Sequence, residues 1–136
     1  MKTNKLITNF LSVVAFCLLL ISCHNDPSEP ELFLIKVDSI HVPNAIVSNT
    51  PFDIDFFGTI GSDGCHKFES FKNSINNTDL LIEAWGSFDG KVGLCPTVMV
   101  YLTGYKLIVT ISIPGNYTIK IKQPDNSTLS REISVK

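Results

Sequence analysis

From residue 32 onward, apolar and polar residues alternate with a period near two, the repeat of an extended strand rather than a helix. Residues 32–42 read as a first strand, ended by Pro43, which has no N–H to give a ladder. Phe52, Ile54 and Phe56 alternate with Asp53 and Asp55, which predicts a strand with one wet face. Gly58, Gly61 and Gly64 punctuate a loop into Cys65, and a short strand follows through Phe68 and Phe71. Residues 79–85 are strand-like again, and Asp89-Gly90 suits a tight hairpin turn because both positions tolerate positive φ. Residues 97–103 and 105–113 add two more strands, the second with Leu107, Val109, Ile111 and Ile113 on one face.

The pattern is plainest at the end of the chain. Pro114-Gly115 fits a type II turn, proline fixing φ at the second position and glycine supplying positive φ at the third. Tyr117, Ile119 and Ile121 then point one way and Thr118, Lys120 and Lys122 the other. Pro124-Asp125-Asn126 turns the chain into a last strand that carries Leu129, Arg131, Ile133 and Val135, so a β-hairpin is predicted. Seven to eight short antiparallel strands with no helical period predict an all-β fold, a β-sandwich. The Gly115-Asn116-Tyr117 step resembles the late strands of immunoglobulin-like and fibronectin-like domains. That resemblance spans residues 32–135 and implies that the Tyr117 hydroxyl bonds back to the backbone. Trp85 lies between Cys65 and Cys95, but Cys95 is not two residues beyond Tyr117, so a bridge here would tie different segments from the usual one.

The first residues follow another pattern. Lys2 and Lys5 precede an apolar run over residues 11–21, broken only by Ser12 and about as long as a signal-peptide core. Leu20-Ile21-Ser22-Cys23 resembles the lipobox of bacterial lipoproteins. The resemblance implies that residues 1–22 are a cleaved signal peptide and that Cys23 is acylated at its thiol and its new amine. Two or three acyl chains hold a protein to a membrane where one does so only marginally. The alternative is an ordinary secretory peptide in which Cys23 has no special role. Residues 23–31 would then be the acylated cysteine and a tether, polar and interrupted by Pro27 and Pro30, and residues 32–136 the domain. Asp26, Glu29 and Glu31 loosely resemble surface-export signals of Gram-negative lipoproteins, although a solvated linker accounts for the same residues. The expected location is the outer membrane, on its periplasmic or its surface face.

Processing at this site changes the arithmetic. Removing 22 of 136 residues leaves 114, enough for one domain with one core. It also takes Lys2 and Lys5, leaving nine basic residues against 13 acidic ones, with no basic cluster to favour nucleic acid as a partner. Cys17 leaves with the signal and Cys23 takes lipid, so Cys65 and Cys95 remain and most economically pair as a disulfide. The rival is a metal site at Cys65 and His66, although one adjacent pair lacks the spaced ligands zinc requires.

Candidate chemistry is sparse. Asp53 and Asp55 share a strand face and could begin a calcium site or an acid–base pair, or simply belong to a solvated face. His24, His41 and His66 are scattered without metal-binding spacing, and neither a nucleophile elbow nor a phosphate-cradling loop occurs. No catalytic residue, metal or cofactor is therefore expected. Trp85, Tyr101 and Tyr105 are the candidates for ligand contact. Trp85 reads first as a core residue packed near the disulfide, with an exposed stacking surface as the alternative. Met99 and Tyr101 leave one strand apolar on the face opposite Val98, Val100 and Leu102. Asn76-Asn77-Thr78, Asn116-Tyr117-Thr118 and Asn126-Ser127-Thr128 match the glycosylation pattern but read as turn chemistry. The leading expectation is a non-enzymatic module binding a protein or glycan at the cell envelope, through residues 58–64 and 86–96. Next comes a structural or accessory subunit of an envelope assembly, and last an enzyme of unrecognised type.

Overall fold

The computed structural model describes residues 29–90 and 93–136; the apolar run, the lipobox-like stretch and most of the tether lie outside them. Eight strands run through the described residues: β1 (Glu31–Leu34), β2 (Lys36–His41), β3 (Phe52–Gly61), β4 (His66–Asn76), β5 (Asp79–Phe88), β6 (Val100–Val109), β7 (Gly115–Lys122) and β8 (Thr128–Val135). They form two sheets, β2-β3-β6 and a five-stranded one built on β5. Along one edge β5 pairs with the whole of β4. Its other edge is divided, residues 79–82 pairing with β7 and residues 85–88 with β1.

The inner faces close on one core, as in a β-sandwich. Leu80, Ile82, Ala84, Ile119 and Ile121 come from the larger sheet and Val37, Ile54, Phe56 and Leu102 from the smaller. The aromatic rings of Phe56, Phe71, Phe68 and Tyr105 step across from sheet to sheet, with successive centroids 4.4, 4.8 and 4.8 Å apart. They fill the side of the sandwich where β4 and β6 run.

Four local expectations give way to sandwich geometry. The predicted first strand divides at Ile35: β1 belongs to the large sheet and β2 to the small one, and the Ile35 N–H donates to the Ala84 carbonyl at the crossing. Residues 97–113 hold one strand, β6, rather than two. Gly104 (φ +68°) is the extra residue of a bulge opposite Phe56 and Phe57. The bulge resets the alternation, so Leu102 before it and Val109 after it both face the core. Asp89-Gly90 closes no hairpin, because the next strand is β6 in the other sheet. Pro114-Gly115 is not a type II turn: the chain is passing between sheets there rather than reversing, and Gly115 (φ +154°) already begins β7. The β7–β8 hairpin forms as predicted, with Asn126 (φ +64°) in its turn.

The resemblance to immunoglobulin-like domains meets a mixed result. The Tyr117 hydroxyl donates to the Ile113 carbonyl at 2.9 Å, the contact that resemblance implies. Yet one of the two neighbours of β7 is β5, running parallel to it inside the larger sheet, whereas the immunoglobulin sandwich is built from two antiparallel sheets. All-β, two-sheet architecture is established; immunoglobulin-like identity is not.

Gln123, just past β7, fastens the two sheets together. Its side-chain amide accepts from the Val37 N–H and donates to the Val37 carbonyl, both at 3.1 Å, and both residues are buried. Replacing Gln123 with Leu keeps the bulk but strands two backbone polar groups away from water. The expected loss is about 2 kcal/mol, read as a lowered urea midpoint with an unchanged slope.

Candidate functional site

Alternation along β5 decides what the outer face of the large sheet displays. With Leu80, Ile82 and Ala84 turned inward, Asp79, Leu81, Glu83 and Trp85 are turned out. Trp85 therefore does not sit in the core; the core placement favoured by the sequence is corrected by its odd position on this strand. Its ring is half-buried on the outer face, and its indole N–H donates to Glu83 Oε2 at 3.0 Å. Lys72 of β4 holds Nζ 4.7 Å from the ring centroid, a cation–π contact.

Two lysines of β7 complete the arrangement. Lys122 Nζ lies 3.3 Å from Glu83 Oε1, and Lys120 Nζ lies 2.6 Å from Asp79 Oδ2. Glu83 is thus held below its ordinary pKa, first by the indole N–H; burial opposes this as the next largest effect, and the hydrogen bond and charge of Lys122 and the charge of Lys72 add to the lowering. A shallow groove crosses β5 between β4 and β7, with Leu81 in its lining beside Lys72, Glu83, Lys120 and Lys122. Trp85 does not line this groove but adjoins it through its contacts with Glu83 and Lys72, and an aromatic plane next to a groove with charges of both signs suits a polyhydroxylated ligand. It offers stacking surface together with donors and acceptors.

Tyr101 and Tyr105 are elsewhere. Tyr101 is exposed on the outer face of β6, its hydroxyl 3.3 Å from Met99 Sδ. Tyr105 turns toward β4 and packs its ring at a tilt against Phe68, partly exposed at the side of the sandwich. The three aromatic candidates therefore occupy three different surfaces and form no common site.

The acidic pair lies on the outer face of the smaller sheet, across from β6. Lys106 Nζ is 2.7 Å from Asp53 Oδ2 and 3.8 Å from Asp55 Oδ1, while His41 Nδ1 is 3.4 Å from Asp55 Oδ2. These cross-strand pairs raise the pKa of Lys106 above its ordinary value, chiefly through the hydrogen bond and charge of Asp53. They make an ion-paired surface rather than a cleft.

Cys65 and Cys95 form a disulfide, with Cα atoms 5.3 Å apart. Asp63 lies beside them and accepts from the Cys65 N–H at 3.0 Å, with His66 Nδ1 at 2.9 Å. The His66 ring packs against Phe33 and Phe88. Each sulfur is bonded to the other, so the metal reading of Cys65 and His66 is corrected: Cys65 has no thiolate to offer. Of the two regions singled out from the sequence, residues 58–61 prove to be the end of β3 rather than loop and residues 86–88 the end of β5, and the described residues that follow each strand lie at this same end of the sandwich.

No protein-family profile, curated protein or solved structure matches this chain.

Proposed function

We propose that this chain is a lipid-anchored protein of the cell envelope whose β module binds a glycan without catalysing a reaction. The groove beside Trp85 carries the binding part of this reading: a half-buried indole bracketed by Lys72, Glu83 and Lys122 presents stacking area and polar contacts together. The anchor is supported by the apolar run over residues 11–21 followed by Ser22-Cys23, and the extracytoplasmic setting by the pairing of Cys65 with Cys95.

The reading as an assembly subunit needs an edge strand open to a partner. β4 has the length for it at eleven residues. It also carries Lys67, Glu69 and Lys72 and a bulge between Phe68 and Ser70, features that discourage edge-to-edge pairing. The glycan reading has the stronger support.

Trp85 is the sole tryptophan, so its emission reports on the surface next to the groove, through its contacts with Glu83 and Lys72. Titration with purified envelope polysaccharide is expected to shift that emission, and Trp85→Ala is expected to weaken co-sedimentation with the polysaccharide several-fold. Unchanged emission, with the wild type left in the supernatant, would remove the glycan assignment. Separately, Cys23→Ala should move the protein from the membrane to the soluble fraction; if it still pellets, the anchor is wrong.

A further inference from the structure

We infer that the disulfide-bearing end of the sandwich lies against the bilayer, with Leu94, Val98 and Met99 in the lipid headgroup region. The inference rests on the lipid anchor proposed above and adds an orientation and a second membrane contact to it. Strand directions show which end this is. Glu31, the first residue of β1, pairs with Phe88 at the end of β5, and His66 pairs with Phe88 from the other side. The Asp89 N–H donates to the Cys65 carbonyl, and the Gly64 N–H donates to the Pro96 carbonyl at 2.9 Å. The point where the chain enters from Cys23 and the disulfide are therefore at one end. Asn77 and the segment around Val47 are at the other, where Asp79 pairs with Thr118 and Gly115 with Val135.

Length favours this orientation. Seven residues separate Cys23 from Glu31, a span of at most about 28 Å even if fully extended. The ten residues of β5 run about 30 Å from end to end. A lipid at Cys23 thus cannot bring the far end to the membrane unless the tether runs back along nearly the whole sandwich. The near end meets the bilayer by default, and what it presents is apolar. Leu94 is 96% exposed, Val98 55% and Met99 50%, in one segment clamped to the sandwich by the disulfide. Leu32, next to the entry point, is also largely exposed. Glu29 and Glu31 lie at the same end, so the contact is made by apolar burial rather than attraction to anionic lipid, and salt should not weaken it.

The test uses the lipidated protein, reconstituted into phosphatidylethanolamine–phosphatidylglycerol vesicles containing acyl-brominated lipid. In a Trp85→Phe background, one variant carries Leu94→Trp and another Val47→Trp; both positions are exposed, so neither change disturbs the core. Flotation reads the anchor, and bromine quenching reads depth. Quenching several-fold stronger at position 94 than at 47, unchanged by salt, is the expected result. Vesicles that float the protein but quench both positions equally, or quench 47 more, overturn the orientation and leave the anchor standing. Failure to float at all removes the anchor and this inference with it.

Discussion

Phe56→Ala should lower the stability of the fold by about 3–5 kcal/mol, among the largest effects of any single core truncation here. Phe56 has no exposed surface, and its strand, β3, is the middle one of its sheet, with β2 and β6 on either side. Its ring centroid is 4.4 Å from that of Phe71 on the opposite sheet, so truncation opens the space between sheets rather than a rim that neighbours could fill. The backbone gives little help, because Phe56 is paired on both sides, with Ile40 and with Tyr105. A cost of this size consumes much of the 5–15 kcal/mol that separates folded from unfolded states in small domains. The variant would therefore be partly unfolded at physiological temperature. Phe56→Leu keeps more of the volume and should remain folded with a smaller loss, so urea titration of both variants tests the packing argument even if the alanine form cannot be purified. Equal midpoints for wild type and the alanine variant would mean that Phe56 is not the inter-sheet contact described.

Much of this core was legible from the alternation of residue types. Phe52, Ile54 and Phe56, then Tyr117, Ile119 and Ile121, all face inward as their spacing requires. What the pattern could not show is where a strand changes partners. Nothing in the run from Leu32 to Val42 marks Ile35 as the crossing, since both halves of a strand that moves between sheets bury residues at the same period. Gly104 was a visible signal. A glycine inside an apolar strand suggests a bulge, and its φ of +68° explains why inward positions change parity between Leu102 and Val109.

The candidate site was half legible. Asp79, Leu81, Glu83 and Trp85 are two apart, so their shared face could be inferred from spacing. Which face that was depended on the burial of Ala84 and its neighbours. The partners that make the site, Lys72 from β4 and Lys122 from β7, come from sequence-distant strands. The parallel β5–β7 pairing that brings Lys120 and Lys122 within reach has no local sequence signature. Gln123 was missed for a related reason: a polar residue after a strand reads as a turn until the buried Val37 backbone opposite it is known.

Replacing Cys65 and Cys95 together with Ser should destabilise the domain by about 3–4 kcal/mol, the loop-closure effect expected for their sequence separation of 30. This closed loop holds β4, β5 and the segment leading into β6, so it joins the end of the large sheet to the edge of the small one. The loss should arise mainly in the unfolded chain, which becomes free to expand. Two signatures follow. The denaturant slope should steepen in the variant, because more surface is exposed on unfolding, and wild type unfolded in the presence of a dithiol reductant should match it. The folded domain itself should change little: Gly64 and Pro96 are joined by a backbone hydrogen bond, and Asp89 and Cys65 by another that does not involve the side chain. An unchanged midpoint would show that the bridge constrains only a local loop. A midpoint lowered with no change in slope would instead place its effect in the folded state, as strain or lost packing at the end where Leu94 and Met99 are displayed.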